Sequence, residues 1–126
     1  MARSYESFLT EEDRIHIAVI KYISHAYVGM DILHAPLEGK RSEFERYKAV
    51  KLGLTLSKGF PDLQLWYKKE ELFLELKTVT GVLSPEQIDW MARLIKNGKD
   101  ARVAYGTDEA IKIIDEKFGA LRRVRV

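Results

Sequence analysis

The sequence predicts an α/β fold in which helices flank a small mixed β-sheet. Segments with apolar residues at helical spacing interleave with short segments in which apolar and polar residues alternate. The polar residues 68–71 lie between two of the alternating segments, 62–66 and 72–77, which is typical of a hairpin. Because the two kinds of segment interleave along the chain, we expect a layered fold built on one sheet.

The first helix is predicted between Thr10 and Tyr27. Apolar residues recur there at helical spacing, Thr10 with Asp13 approximates a capping box, and Gly29 follows the end. Residues 30–33 then predict a short strand.

A loop and a second helix come next. We expect a loop at residues 36–40. Ser42 with Glu45 signals the start of the second helix, and Gly53 marks its end.

The strand at 72–77 has two different faces, because side chains two residues apart on a strand point the same way. Leu74 and Leu76 are expected to enter the core. Glu75 and Lys77 are expected to project together from the opposite face. We expect the preceding alternating segment to be its antiparallel neighbour through the hairpin.

The third helix has a strong start signal. Ser84 suits the N-cap, Pro85 the first helical position and Gln87 the third, and Gly98 ends the helix. The spacing predicts a buried stripe of Ile88, Met91, Ala92 and Ile95.

The remaining segments complete the sheet and its cover. Residues 102–105 predict a strand, 107–118 a helix, and 121–126 a last strand.

The composition is that of an ordinary globular protein. Of 126 residues, 46% are hydrophobic and 32% are charged, which argues against disorder and suits one domain, 1–126. No run approaches the roughly 18 apolar residues that a membrane span needs, and the amino terminus lacks the apolar core of a signal peptide. With no cysteine, we expect no disulfide framework, no zinc–thiolate site and a cytosolic location.

The run from Gly59 to Gln87 carries groups that can surround a divalent metal ion. Asp62 starts one predicted strand, and Glu75 and Lys77 lie two apart on the next. This order can bring two carboxylates, an ammonium and an amide together. Phosphodiester hydrolysis uses such groups, as oxygen ligands for the metal and as a positive charge beside the attacking water.

Each of these residues also has an ordinary structural explanation. Asp62 after a proline suits a turn, and Glu75 with Lys77 suits a cross-strand ion pair. Gln87 suits a capping-box contact with the backbone of Ser84. Taken together and in this order, however, the four residues favour a nuclease-type metal site.

Basic residues cluster just before this motif and again at the carboxyl terminus. The net charge of +2 is too small to predict nucleic-acid binding by itself. Basic clusters beside such a site suit a polyanion, although two solvated faces would have the same composition. The expected nucleic-acid contacts are Lys40, Arg41, Lys48, Lys51 and Lys58, and the carboxyl-terminal cluster is Lys117, Arg122, Arg123 and Arg125.

The same motifs resemble the virus-type replication-repair nuclease (VRR-NUC) family of the PD-(D/E)XK nuclease superfamily. The Gly-x-Pro-Asp-Leu strand of that family is matched by residues 59–63, its Glu-x-Lys strand by 75–77, and its Leu-Ser-x-x-Gln helix start by 83–87. Where the family often has His-x-Pro-Asn, this chain has Leu37 in place of the asparagine. The resemblance implies a PD-(D/E)XK nuclease-like fold.

The resemblance also implies a role for each residue. Asp62, Glu75 and the main-chain carbonyl of Leu76 would bind Mg²⁺ or Mn²⁺. Lys77 would orient or help deprotonate the attacking water and offset charge on the phosphate. Gln87 would position Lys77 or that water.

The first helix would add one more acid to this set. The family carries a glutamate early in its first helix, for which Glu12 is the best match and Glu11 the alternative. Glu12 would reach the metal through water or hold a second ion. His16, His25 and His34 lack metal-binding spacing, and we interpret each as a structural or surface residue.

The resemblance implies a metal-dependent, structure-selective endodeoxyribonuclease that cuts branched DNA such as four-way junctions. It further implies a homodimer in the cytoplasm of a bacterial or phage-infected cell. Two alternatives stay open. One is a flap or non-specific DNA nuclease with the same chemistry, and the other is a non-catalytic DNA-binding module, or an interaction protein, whose acidic motif is degenerate.

Overall fold

The computed structural model describes residues 5–35 and 42–123 of the chain. Within these ranges it contains four α-helices and four β-strands, in the order that an interleaved α/β fold requires. The elements are α1 (Glu11–Ala26), β1 (Asp31–His34), α2 (Glu43–Lys51), β2 (Leu63–Tyr67), β3 (Glu70–Lys77), α3 (Pro85–Lys96), β4 (Ala101–Tyr105) and α4 (Thr107–Phe118), with short 3₁₀ turns at Tyr5–Phe8, Leu54–Ser57 and Gly119–Arg123.

The four strands form one mixed sheet in the order β1-β2-β3-β4. β1 pairs with β2 and β2 pairs with β3 in antiparallel fashion, and β4 runs parallel to β3. Lys68 and Lys69 form the hairpin turn between β2 and β3, and both have positive φ (47° and 72°). A two-residue turn needs such φ values to match the twist of the two strands. The mixed sheet and the hairpin are both confirmed.

Helices cover both faces of the sheet. The larger core lies between one face and helices α1 and α4, and the smaller core lies between the other face and α3. The central strand β3 contributes to both, because Leu74 and Leu76 point to the larger core and Phe73 to the smaller one. Burial of these apolar side chains is the main driving force that holds the layers together.

A partly buried polar connection ties α1 to α4. The hydroxyl groups of Tyr22 and Tyr27 both donate to Oδ1 of Asp115, each at 2.6 Å. Tyr27 is also buried among the aromatic rings of Tyr67 and Phe118. The packing fixes the position of α1, the helix whose first turn reaches the candidate site.

The helix starts are confirmed. Thr10 and Asp13 form a complete capping box on α1, and Ser42 caps α2. Ser84 and Gln87 form a second complete capping box on α3.

The buried face of α3 differs from the prediction. Met91 is buried as predicted, but Leu94 is buried as well and Trp90 packs beside it. Ile88 and Ile95 are 56% and 58% exposed. The inward face is therefore rotated relative to the predicted stripe, whose members Ile88, Ala92 and Ile95 lie on the exposed side.

The predicted last strand is also wrong in the part that the structure describes. Residues Gly119–Arg123 form a 3₁₀ turn. The carbonyl oxygen of Leu121 accepts a hydrogen bond from Nζ of Lys68 at 2.7 Å, and Arg122 stacks over the ring of Tyr27. These contacts hold the segment against the hairpin end of the fold. The predicted loop at 36–40 lies outside the described residues.

Among the residues that the structure describes, no helix combines the length and the apolar character that crossing a bilayer requires.

Candidate metal centre

The acidic residues meet at the end of the sheet where β3 finishes and β2 begins. Leu63 of β2 lies opposite Leu74 of β3 in the antiparallel register, so Asp62 lies beside the end of β3. The first turn of α1 approaches this end from one face of the sheet, and the first turn of α3 approaches it from the other. The site therefore lies between two helix amino termini, which favour negative charge.

Asp62 is held by the backbone of neighbouring strands. Its Oδ2 accepts the N–H of Leu76 at 2.8 Å, and its carbonyl oxygen accepts the N–H of Ala35, just after β1, at 2.8 Å. Pro61 before it is fully buried. The side chain of Asp62 still has 23% of its surface exposed, so it can face both the strands and the solvent.

Glu75 is buried, with only 1% of its surface exposed. Burial, together with the negative charge of Asp62, raises the pKa of Glu75 to about 9. Its Oε1 accepts a hydrogen bond from Nε2 of Gln87 at 3.1 Å. At neutral pH, Glu75 is therefore the protonated member of a pair of interacting carboxyl groups.

Asp62 is the charged member of that pair. Burial acts to raise its pKa, but favourable interactions with His16, with the N–H of Leu76 and with the Glu75 carboxyl group outweigh it. The pKa of Asp62 consequently lies below its ordinary value. Two carboxyl groups that share a proton in this way can release it when a cation takes its place.

Gln87 joins the helix cap to the acidic pair. Its Oε1 accepts the N–H of Ser84 at 2.8 Å while its Nε2 donates to Glu75. The capping explanation is therefore correct, and so is the placement of Gln87 at the acidic site. The two are compatible because the amide has a donor and an acceptor end.

Gly59 permits the approach that makes this contact possible. It has φ +85°, and a Cβ built there would lie 2.6–2.8 Å from atoms of Glu86 and Gln87. Any side chain at this position would push the loop before β2 away from the start of α3. Close packing between this loop and α3 therefore explains the glycine of the Gly-x-Pro-Asp-Leu motif.

The main-chain carbonyl of Leu76 faces the same place as Asp62. The N–H of Phe73 and the carbonyl of Lys77 bond on the β4 side of the sheet, to Asp100 and Gly106. Successive residues of a strand direct their backbone groups to alternate sides. Leu76 therefore directs its groups towards Asp62, as its N–H does.

Helix α1 brings two side chains to the solvent side of Asp62. One ligand atom from each of Glu12, His16 and Asp62 lies within 4.8 Å of the others. Nε2 of His16 is 3.6 Å from Oδ2 of Asp62. All three line an open cavity of about 620 Å³, which also includes His34.

The placement of His16 corrects the sequence interpretation, which assigned it a structural or surface role. The Asp62 carboxylate, whose Oδ2 lies 3.6 Å from Nε2 of His16, raises the pKa of His16 against the opposing effect of burial. The available signal was its position one helical turn after Glu12, which puts both side chains on one face. Glu11, the alternative to Glu12, is exposed and is not part of this cluster.

Lys77 ends β3 and is half-buried on the same side of the strand as Glu75. Its carbonyl oxygen accepts the N–H of Gly106 at 2.8 Å, which anchors the turn between β4 and α4. Across residues 5–35 and 42–123, no carboxylate forms an ion pair with the Lys77 ammonium group. The ion pair with Glu75 that would explain both residues structurally is thus not observed.

Comparison with known proteins assigns the family. The model of the VRR-NUC domain matches residues 34–108, which is more than half of the chain and includes Asp62, Glu75 and Gln87. The chain belongs to the VRR-NUC family. This membership indicates a nuclease-type function, which confirms the resemblance seen in the sequence.

Two solved structures share the VRR-NUC fold. A VRR_NUC domain protein superposes with a TM-score of 0.68 at 23% identity, covering 88% of this chain and 90% of that chain. A second structure, a VRR_NUC domain, superposes with a TM-score of 0.61 at 19% identity, covering 85% and 97%. They support the PD-(D/E)XK-like fold. A search of curated proteins found no match.

The donor set of this VRR-NUC site fits a divalent cation. Asp62, Glu75 and the Leu76 carbonyl offer oxygen ligands, which Mg²⁺ and Mn²⁺ accept. Burial and the negative charge of Asp62 keep Glu75 protonated. A cation bound at the same place would replace this proton as the compensating positive charge. Glu12 and His16 lie outside the residues matched by the family model. The structure places Glu12, the acid expected from the first helix, near Asp62 and adds His16 to the cluster.

The basic residues expected to contact DNA divide into three groups. Lys40 and Arg41 lie outside the described residues. Lys48 and Lys51 are exposed on α2, where Lys51 lies 5.7 Å from the ring centre of Tyr47. Lys58 is exposed and lies 3.9 Å from Glu86 at the start of α3. Lys58 is thus close to the acidic site along the chain and in space.

Proposed function

We propose that this VRR-NUC protein is a metal-dependent, structure-selective endodeoxyribonuclease that cuts branched DNA such as four-way junctions. The observation that carries the proposal is the meeting of Asp62, Glu75 and Gln87 at one end of the sheet, next to Lys77. A buried carboxyl group beside a second carboxylate costs stability in the absence of a cation. A site that keeps such a pair is therefore better explained by function than by folding.

In this proposal, Asp62, Glu75 and the carbonyl of Leu76 hold a Mg²⁺ or Mn²⁺ ion, with Glu12 on the solvent side. When bound, such an ion lowers the pKa of a water molecule and offsets negative charge on the phosphate. The protein supplies the fixed geometry, because Asp62 is bonded to the β3 backbone and Glu75 is enclosed by packing. Gln87 fixes the orientation of the Glu75 carboxyl group.

Lys77 completes the chemistry. Its ammonium group is free of carboxylate partners among the described residues, so it can orient the attacking water and stabilise charge on the phosphate. Its backbone carbonyl is anchored by the N–H of Gly106, which limits how far the backbone end of the side chain can move.

DNA would approach along the basic residues near the site. Segment 36–41, which includes Lys40 and Arg41, begins one residue after Ala35, whose N–H bonds to the carbonyl of Asp62. Lys58 lies next to the loop that positions Asp62. Contacts of this kind bind phosphates regardless of sequence, which suits recognition of DNA shape.

Cutting a four-way junction takes two incisions, and each chain offers one candidate site. A homodimer would supply two sites at a fixed separation. An apolar surface on α2 and the following 3₁₀ turn supports this proposal, because each of its members is more than half exposed. We call it the α2 surface, and it consists of Phe44, Tyr47, Val50, Leu52, Leu54 and Leu56. A group of exposed apolar side chains on neighbouring elements suits an interaction site.

A cleavage panel tests the proposed function. Four-way junction, flap and plain duplex of matched length are incubated with Mg²⁺, Mn²⁺ or Ca²⁺, and products are resolved on denaturing gels. The proposal expects cleavage with Mg²⁺ or Mn²⁺ and fastest cleavage of the junction. Faster cleavage of the flap or equal cleavage of all three substrates would assign a flap or non-specific nuclease. DNA binding without cleavage would assign a non-catalytic module.

A further inference from the structure

His16 brings a nitrogen ligand to an otherwise all-oxygen site. It lies one turn after Glu12 on α1, so the two side chains leave the same face of the helix. Its Nε2 is 3.6 Å from Oδ2 of Asp62, and the ligand atoms of the three residues lie within 4.8 Å of one another. Ligands on opposite sides of a first-row ion are about 4.2 Å apart, so small side-chain movements would close this set around one ion.

We propose that His16 is a direct ligand of a divalent ion held with Glu12 and Asp62, and that it gives the site a preference for Mn²⁺ over Mg²⁺. The inference rests on the proposed metal-dependent function. Imidazole nitrogen suits first-row transition ions, whereas Mg²⁺ takes oxygen ligands and keeps its water molecules. One nitrogen ligand would therefore discriminate between the two proposed ions, Mg²⁺ and Mn²⁺.

This ion would lie on the solvent side of Asp62, as a second ion beside the one proposed for Asp62, Glu75 and the Leu76 carbonyl. Glu12 and His16 line the open cavity, whereas Glu75 is buried on the other side of Asp62. The Asp62 carboxylate faces both groups, because its Oδ2 is close to His16 and also accepts the N–H of Leu76. The set formed by Glu12 and His16 is thus accessible for ion exchange in a way that Glu75 is not.

The competing explanation is that His16 only orients Asp62 through a hydrogen bond. The substitution His16→Gln separates the two, because glutamine keeps a donor for Asp62 but cannot supply an imidazole nitrogen. His34→Gln is the matched control, since His34 lines the same cavity but is not part of the three-residue cluster.

The test uses Mn²⁺ bound to untagged protein. Electron spin echo envelope modulation detects a directly coordinated ¹⁴N nucleus, and a Mn²⁺ titration with Mg²⁺ competition gives both affinities. We expect a ¹⁴N signal in the wild-type protein and in His34→Gln that disappears in His16→Gln. The Mn²⁺ affinity of His16→Gln should fall about tenfold or more, with a smaller change for Mg²⁺.

Two results would overturn the inference: a wild-type Mn²⁺ complex without the ¹⁴N signal, or a His16→Gln variant with unchanged affinity for both ions. Either result would leave His16 only as a polar neighbour that orients Asp62. Neither would touch the proposed function, which requires only that Asp62 and Glu75 support metal-dependent cleavage. Cleavage that survives loss of Asp62 would instead contradict the proposed function itself.

Discussion

The side-chain amide of Gln87 donates a hydrogen bond to the buried carboxyl group of Glu75 at 3.1 Å. The same amide caps the first turn of α3 through the N–H of Ser84. One residue therefore fixes where α3 begins and how a carboxyl group of the candidate site is oriented. A single side chain thus connects the start of α3 to the candidate site.

A pair of alanine variants separates these two roles of Gln87. Ser84→Ala removes a capping hydrogen bond and leaves the amide facing Glu75, whereas Gln87→Ala removes the amide as well. We expect each variant to lose about 1 kcal/mol of unfolding free energy. Only Gln87→Ala should also slow DNA cleavage, by about tenfold or more. Urea denaturation and single-turnover cleavage measure the two effects, and equal cleavage by both variants would leave Gln87 with the capping role alone.

Gly59→Ala should destabilise the protein more than Gly98→Ala. Both glycines have positive φ, +85° and +75°, but only at Gly59 would a Cβ meet other atoms, those of Glu86 and Gln87. The backbone strain at Gly98 should cost about 1 kcal/mol, and the clash at Gly59 should add about 1–3 kcal/mol. Thermal or urea denaturation gives the difference. Equal losses would show that the loop before β2 can move away from α3 without cost.

Glu75 should make the stability of the metal-free protein fall as pH rises. Its pKa is about 9 in the folded protein against an ordinary value of 4.5, so between these values the folded state holds a proton that the unfolded chain has lost. The contribution of this group is therefore greatest below pH 4.5 and declines towards pH 9. Glu75→Gln removes the titration and keeps the shape.

The stability of Glu75→Gln relative to the wild-type protein isolates this effect. In the presence of EDTA, the unfolding free energy of Glu75→Gln should rise relative to that of the wild-type protein from pH 5 to pH 8, as measured by urea denaturation. A difference that stays constant over this range would show that Glu75 is not protonated in the folded state.

The sequence predicted most of the architecture because the local signals agreed with the fold. The capping residues Thr10 and Ser84 and the leucine alternation in β3 predicted elements that the structure contains. The Asp62, Glu75 and Gln87 positions were also predicted to meet, since a hairpin and a following helix start leave few other arrangements. Motif spacing was informative here because each residue lies close to the end of a well-defined element.

The errors have a physical cause that spacing alone does not reveal. The inward face of α3 includes Gln87, Trp90, Met91 and Leu94, which recur at helical spacing. Because Gln87 is polar, the sequence favoured a stripe one residue further on. The hydrogen bond from Gln87 to Glu75, which the sequence does not reveal, shows that Gln87 belongs to the inward face. His16 was missed for a related reason, since its partners Glu12 and Asp62 are joined by tertiary packing.

The α2 surface predicts how the homodimer can be disrupted. Leu52→Glu with Leu56→Glu places two charges on this surface, at positions that are 62% and 78% exposed, so the monomer fold should be retained. We expect light scattering to give twice the chain mass of 14.6 kDa for the wild-type protein and a single chain mass for the double variant.

Val28→Glu is the control, because Val28 is 83% exposed beyond the end of α1 and outside the α2 surface. It should remain dimeric. On a plasmid with an extruded cruciform, the dimer should give linear product and the double variant should give nicked circles. A monomeric wild-type protein would contradict the proposed homodimer but would not contradict the nuclease function.

The central claim, that Asp62 belongs to a metal-dependent nuclease site, is tested most directly by one rate ratio. The rate of four-way junction cleavage with Mn²⁺ is measured for Asp62→Asn and for the wild-type protein, with Glu116→Gln as a control for loss of a surface carboxylate. Asp62→Asn should cleave about a hundredfold more slowly or not at all, while it stays folded and still binds the junction in Ca²⁺. Glu116→Gln should match the wild-type rate. Cleavage by folded Asp62→Asn at the wild-type rate would contradict the account.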